Sequence, residues 1–227
     1  MGKYLANCLL AFIMLILSEN LYAQKDVTQF LRIPVDGYKP EMIEKLKSKG
    51  FTINPHKEDV LDGEFNGRDV NIFIVTNNNK VWRIAVADVN TLDEGDIKIR
   101  FNDLLQQFQN NKNYLPTPDS TILKYTIPEK EDISYGLSVN GKRYQAVFYQ
   151  KTAAYDSLTV EKDILIAKKS LNDSDREKLA SLIVRTFEES LKSLDKSVWF
   201  MISERYGKYY ITMFYDNVFN KANGEDL

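Results

Sequence analysis

The 227-residue chain holds one cysteine, Cys8, and one histidine, His56. That scarcity removes whole classes of chemistry. Cys8 falls in a leader-like segment, so the chain beyond it has no thiol nucleophile, no disulfide and no cysteine zinc site. A single imidazole leaves carboxylates to complete any zinc shell. A serine triad would have to use His56, which sits in Asn54-Pro55-His56-Lys57-Glu58, a turn between extended segments, and the chain has no Gly-x-Ser-x-Gly elbow. No phosphate-cradling loop is present either, and no cofactor is expected. Neither sign of charge prevails: 30 Lys plus Arg face 32 Asp plus Glu. The basic face that nucleic-acid binding requires is therefore not expected.

Long apolar runs are also scarce. Leu9 to Leu17 is one uninterrupted by charge, with Lys3 before it and Ser18, Glu19 and Asn20 after. That is the pattern of a secretory leader spanning residues 1–23, cut after Ala23. The run falls well short of the roughly 20 residues that a bilayer crossing needs. Cys8 precedes the apolar run, whereas a lipoprotein cysteine follows it, so no lipid anchor is expected. The rest, 24–227, is expected in the periplasm or outside a Gram-negative cell, with no stable transmembrane segment.

What is plentiful is aromatic and apolar: 13 Tyr, 12 Phe and 44% hydrophobic residues overall, a composition that builds a core without staples. Pro40 opens a short helix with Met42, Ile43 and Leu46 on one face and Gly50 as its stop. Asn66-Gly67 and Asn77 to Asn79 mark hairpin turns around strands at 70–75 and 80–88. The strand at 70–75 is apolar on both faces, which predicts packing on each side. Ile97, Phe101, Leu104, Leu105 and Phe108 then form a helical stripe.

Thr121 to Ile127, Asp132 to Val139 and Lys142 to Gln150 read as three further strands, the last two joined at Asn140-Gly141. Residues 151–171 fit either a buried strand or a helix. Ser174-Asp175-Arg176-Glu177 resembles a capping box leading into Leu179, Leu182, Ile183, Phe187, Leu191 and Leu194. A hairpin, Val198 to Glu204 and Lys208 to Tyr215, turns at Tyr206-Gly207. The expectation is an α+β fold in which antiparallel meanders alternate with three amphipathic helices. Two helix-plus-meander halves, 38–92 and 95–150, precede a C-terminal helix and hairpin at 172–227.

Three kinds of residue are candidates for function. Oxygen ligands cluster at Asp216 to Asn220 and at Asn223 to Asp226, but Lys221 stands where an EF-hand loop needs glycine, so no metal site is assigned. Asp59, Glu64 and Asp132 carry no context that marks a glycosidase pair. Aromatics are the remaining signal: Trp82, Trp199, Tyr206, Tyr209, Tyr210 and Tyr215, with Phe214, lie on or beside strands. Exposed on one sheet face they would form a binding surface; buried, they are core.

Three stretches resemble a family of uncharacterised secreted proteins of gut Bacteroidales: Phe30 to Gly37 running into Met42 to Phe51, Leu61 to Arg83 with Lys80-Val81-Trp82-Arg83, and Tyr215 to Leu227. The resemblance implies an exported location. The order of elements is also similar to β-lactamase-inhibitor-like α/β modules, whose sheets bind proteins. The expectation is a non-enzymatic module that binds an envelope protein or peptide through an aromatic sheet face. A glycan or small-ligand binder is the alternative, followed by a hydrolase.

Overall fold

Seven antiparallel strands make the body of the molecule, in the order β3-β4-β5-β6-β9-β8-β7. The computed structural model describes residues 26–222, so the leader with its cut after Ala23, and Asn223 to Leu227, lie outside the described residues. The strands are β3 (Thr52–Ile53), β4 (Val60–Phe65), β5 (Arg68–Asn77), β6 (Lys80–Asp88), β7 (Gln145–Tyr149), β8 (Ser197–Arg205) and β9 (Lys208–Asp216). A small separate hairpin pairs β1 (Gln29–Phe30) with β2 (Ile33–Pro34). With the helices below, the fold is α+β.

The tight turns follow backbone chemistry. Asn66 and Gly67 have φ of 51° and 70°, Asn78 and Asn79 of 47° and 63°, and Tyr206 and Gly207 of 54° and 73°. Two consecutive left-handed residues give the turn whose twist matches that of the strands it joins. The β1–β2 turn has the same form at Leu31 (52°) and Arg32 (66°), with neither glycine nor asparagine to ease it.

Period two divides the sheet into faces. Leu61, Ile72, Val86, Met213, Phe200 and Ala146 stand in one row across six strands, and all are buried. Helices α1 (Lys39–Lys47) and α2 (Glu94–Gln109) pack there, contributing Met42 and Leu46, and Ile97, Phe101, Leu104, Leu105 and Phe108. Phe108 stacks on Phe148 at 4.6 Å, and Phe101 meets Phe200 edge-on at 4.9 Å. Gly63 is glycine because the Phe51 ring lies over it; a Cβ would meet that ring at 2.3 Å. One ion pair lies under α2: Arg100 makes two bonds, 2.7 and 2.9 Å, to the buried Asp88 carboxylate.

Residues 118–150 depart from the strands expected there. α3 (Asp119–Tyr125) and α4 (Ile133–Ser138) are short helices that add Ile122 and Ile133 to the same core. Only β7 remains of the expected second meander, and it pairs with β8. The 95–150 stretch is thus no copy of 38–92. Asn140-Gly141 makes no hairpin: Gly141 alone is left-handed (φ 60°), and the Lys142 N–H reaches back to the Gly136 carbonyl at 2.8 Å, closing the end of α4.

Between β7 and β8 the chain runs out into a helical arm. α5 (Tyr155–Ile166) settles the open stretch as helix, and α6 (Asp173–Ser193) starts at Asn172, whose side chain accepts the Asp175 N–H at 2.8 Å, two residues before the expected cap. The arm packs chiefly on itself, through Leu158, Leu165 and Leu182 with Leu179 against them. Of the expected α6 stripe, Ile183, Phe187, Leu191 and Leu194 are exposed. There are thus six helices among the described residues, where three were expected, and none is long and apolar enough to cross a membrane.

Candidate functional site

The second face of the sheet carries half-buried and exposed apolar side chains. Its central row runs Val147, Trp199, Phe214, Ala85, Phe73, one residue from each of five adjacent strands. Trp199, Phe214 and Val147 are half-buried, and Phe73 is exposed. This corrects the expectation that the strand at 70–75 is covered on both sides: Val70, Ile72 and Ile74 face the core, while Phe73 looks outward.

An aromatic cluster is fixed at one end of this row. The register of β5 and β6 slips between Val75 and Thr76, so Trp82 is an extra residue beside Arg83. Such a bulge re-aims side chains. The Arg83 guanidinium lies 4.3 Å from the Trp82 ring centre, 4.8 Å from Phe214 and 5.3 Å from Trp199, and Trp199 stacks on Phe214 at 4.0 Å. Arg83 also holds Asp216 with two bonds of 2.6 and 2.7 Å, and Trp199 Nε1–H donates to the same carboxylate at 3.1 Å. Cation–π contact and a two-toothed ion pair together lock four side chains in one arrangement. Asp216 is therefore engaged by Arg83 and Trp199. Asn217, beside it, donates to the Val35 carbonyl at 2.8 Å.

The six aromatics singled out in the sequence divide by period. Trp82 and Trp199 join in the cluster, and Tyr210 stands on the same face four residues from Phe214, under the Arg205 guanidinium at 5.2 Å. Tyr206 projects from the β8–β9 turn and is 97% exposed. Tyr209 and Tyr215 face the opposite way and are buried at 5% each, so they leave the surface. Consecutive strand residues point to opposite faces, which requires Tyr209 and Tyr210 to part. Sequence reading left out Arg83 and Phe73; the alternation of β5 was a signal for the second, and the bulge that aims the first had none.

At the far end the same face turns polar. Asp62 accepts two bonds from Asn54 (2.8 and 3.0 Å) and one from Asn71 (2.7 Å), beside a groove of about 520 Å³. Elsewhere Asp59 pairs with Lys39 at 2.6 Å, and Asp132 caps α4 by accepting the Tyr135 N–H at 2.7 Å. His56 is exposed in its turn. Among the described residues no group of three His, Cys, Asp or Glu is placed to hold a metal ion.

No family model, no curated protein and no solved structure matches the chain. The site must therefore be read from its own chemistry.

Proposed function

We propose that the chain is an exported, non-enzymatic module of the periplasm or cell exterior that docks a protein or peptide partner on the open face of its sheet. The observation that carries this reading is the Trp82–Arg83–Trp199–Phe214 cluster, half-exposed and held rigid by Asp216. Rigid aromatic and arginine side chains are the residue types that dominate the energetics of interfaces, because they bury large areas at small entropic cost. Export itself rests on the pattern of the leader. The test is capture from envelope extracts with the wild-type chain and with Trp199→Ala and Phe214→Ser. A protein held by the wild type and lost by both variants supports the reading. One that all three chains hold equally overturns it.

A second reading has its own observation. Phe73 is exposed beside the amides and carboxylate of Asn54, Asn71 and Asp62, a pairing of an apolar ring with hydrogen-bonding groups that suits a sugar. Binding on a glycan array that Phe73→Ala abolishes, with no protein captured, would put this reading first.

A further inference from the structure

On the covered side of the sheet, two cavities join. The inner one, about 190 Å³, is a pit with Leu104, Phe108 and Met213 on its apolar side and Asn66 and Gln107 on its polar side. The outer one, about 550 Å³, opens past the Leu31–Arg32 turn and is lined by Lys151, Lys196, Asp26 and Asp156. Phe65, Asn111, Tyr114 and Tyr215 border both.

The polar groups at the junction are donors in want of an acceptor. Tyr215 is 5% exposed, and among the described residues its hydroxyl makes no hydrogen bond, its oxygen being open to the cavity rather than fully buried. Tyr114, 7% exposed, takes one long bond from Gln150 Nε2 at 3.4 Å, which leaves its own O–H proton unassigned. At the rim, Lys196 pairs with Asp26 and Lys151 with Asp156, whereas Arg32 forms no ion pair among the described residues. The lining therefore has one cation in excess.

Arg32 is held there against preference. It and Leu31 both adopt left-handed backbone, with φ of 66° and 52°. For residues other than glycine and asparagine this costs roughly 1 kcal/mol or more each. The turn places Arg32, an exposed residue, in the lining of the outer cavity.

We propose that this cleft binds a small amphipathic acid, with an apolar ring or branched alkyl body in the pit and its carboxylate between Arg32 and the hydroxyls of Tyr114 and Tyr215. The size fits: an apolar cavity of about 150 Å³ accepts benzene, so the pit holds a body of about one six-membered ring. This site lies on the opposite face of the sheet from the aromatic cluster, and either can fail without the other.

The probe is 3-phenylpropionate, titrated into the chain by calorimetry beside the neutral 3-phenylpropan-1-ol. Saturable one-to-one binding of the acid is expected, with the alcohol at least about tenfold weaker, since hydrogen bonds to a charged group contribute about 1.5–3 kcal/mol. Arg32→Asn removes the charge while suiting the left-handed turn, so the fold is kept; it and Tyr215→Phe should each weaken the acid by about tenfold and leave the alcohol unchanged. Equal affinity of acid and alcohol overturns the proposal, as does undiminished binding by Arg32→Asn. No saturation below about 10 mM, an affinity weaker than roughly 3 kcal/mol, overturns it as well.

Discussion

Trp199 and Phe200 are neighbours in one strand and meet different fates. Phe200 is fully buried between Phe101 and Phe108 on the helix-covered face, while Trp199 lies half-exposed on the open one, stacked on Phe214. Both faces are apolar and aromatic, yet they are held by different forces. The covered face depends on filled volume, as close-packed interiors do. The open face depends on one ion pair: Arg83 and Asp216 fix the rings of Trp82, Trp199 and Phe214. The body of the sheet thus has one face closed by packing and one left partly open.

Mutations that enlarge or erase this contrast should differ in size accordingly. Phe200→Ala should cost about 3–5 kcal/mol in chemical denaturation, the loss of a buried ring plus the cavity left behind. Arg83→Ala strands the Asp216 carboxylate and frees three rings; about 2–3 kcal/mol is expected, less than for a fully buried pair. The contrast breaks if this variant keeps the near-ultraviolet dichroism of the tryptophans, because the rings would then be fixed by something else.

Alkaline pH attacks the covered face. Burial pushes the Tyr114 hydroxyl up from 10.0 to about 12 and that of Tyr215 well above its ordinary value. Between pH 10.0 and about 12 the unfolded chain releases the Tyr114 proton while the folded chain keeps it, so stability is full below that window and falls as pH rises through it. Tyr114 alone accounts for roughly 2.7 kcal/mol, and denaturation midpoints taken across the window should show the slope removed by Tyr114→Phe. Trp199→Ala is smaller, about 1 kcal/mol for its stack and its bond to Asp216, and its larger effect should be on partner capture. Smallest of all, Phe187→Ser on the exposed side of the arm should leave stability within about 0.5 kcal/mol.

The hairpins were legible in the sequence because Asn66-Gly67 and Tyr206-Gly207 state their turn chemistry locally. Asn140-Gly141 carries the same two residues with another meaning. Glycine tolerates the left-handed conformation in a hairpin turn and at a helix end alike, and only the chain around it decides which is made. Thr121 to Ile127 misled for a related reason: its β-branched residues suggest a strand, but between Pro118 and Pro128 they wind into α3, whose Ile122 reaches the core. Tertiary packing overrode local preference there. The candidate site was half legible. The segment 199–215 announced its aromatics, and period two alone separates Tyr210 from Tyr209. The partners that fix the cluster were not legible, since Arg83 and Asp216 stand 133 residues apart.

That separation bears on when the sheet can close. Its central seam joins β6 to β9, with Ala87 opposite Thr212, so the meander from β3 to β6 can assemble early from local contacts and then wait with an unpaired edge. Long-range strand pairing is slow and leaves chains open to aggregation. The sheet cannot be completed until Lys208 to Asp216 has been made. Thr28, near the start, likewise binds the Asp216 carbonyl, 188 residues on. Until that strand is in place, the two halves of the sheet have no common seam.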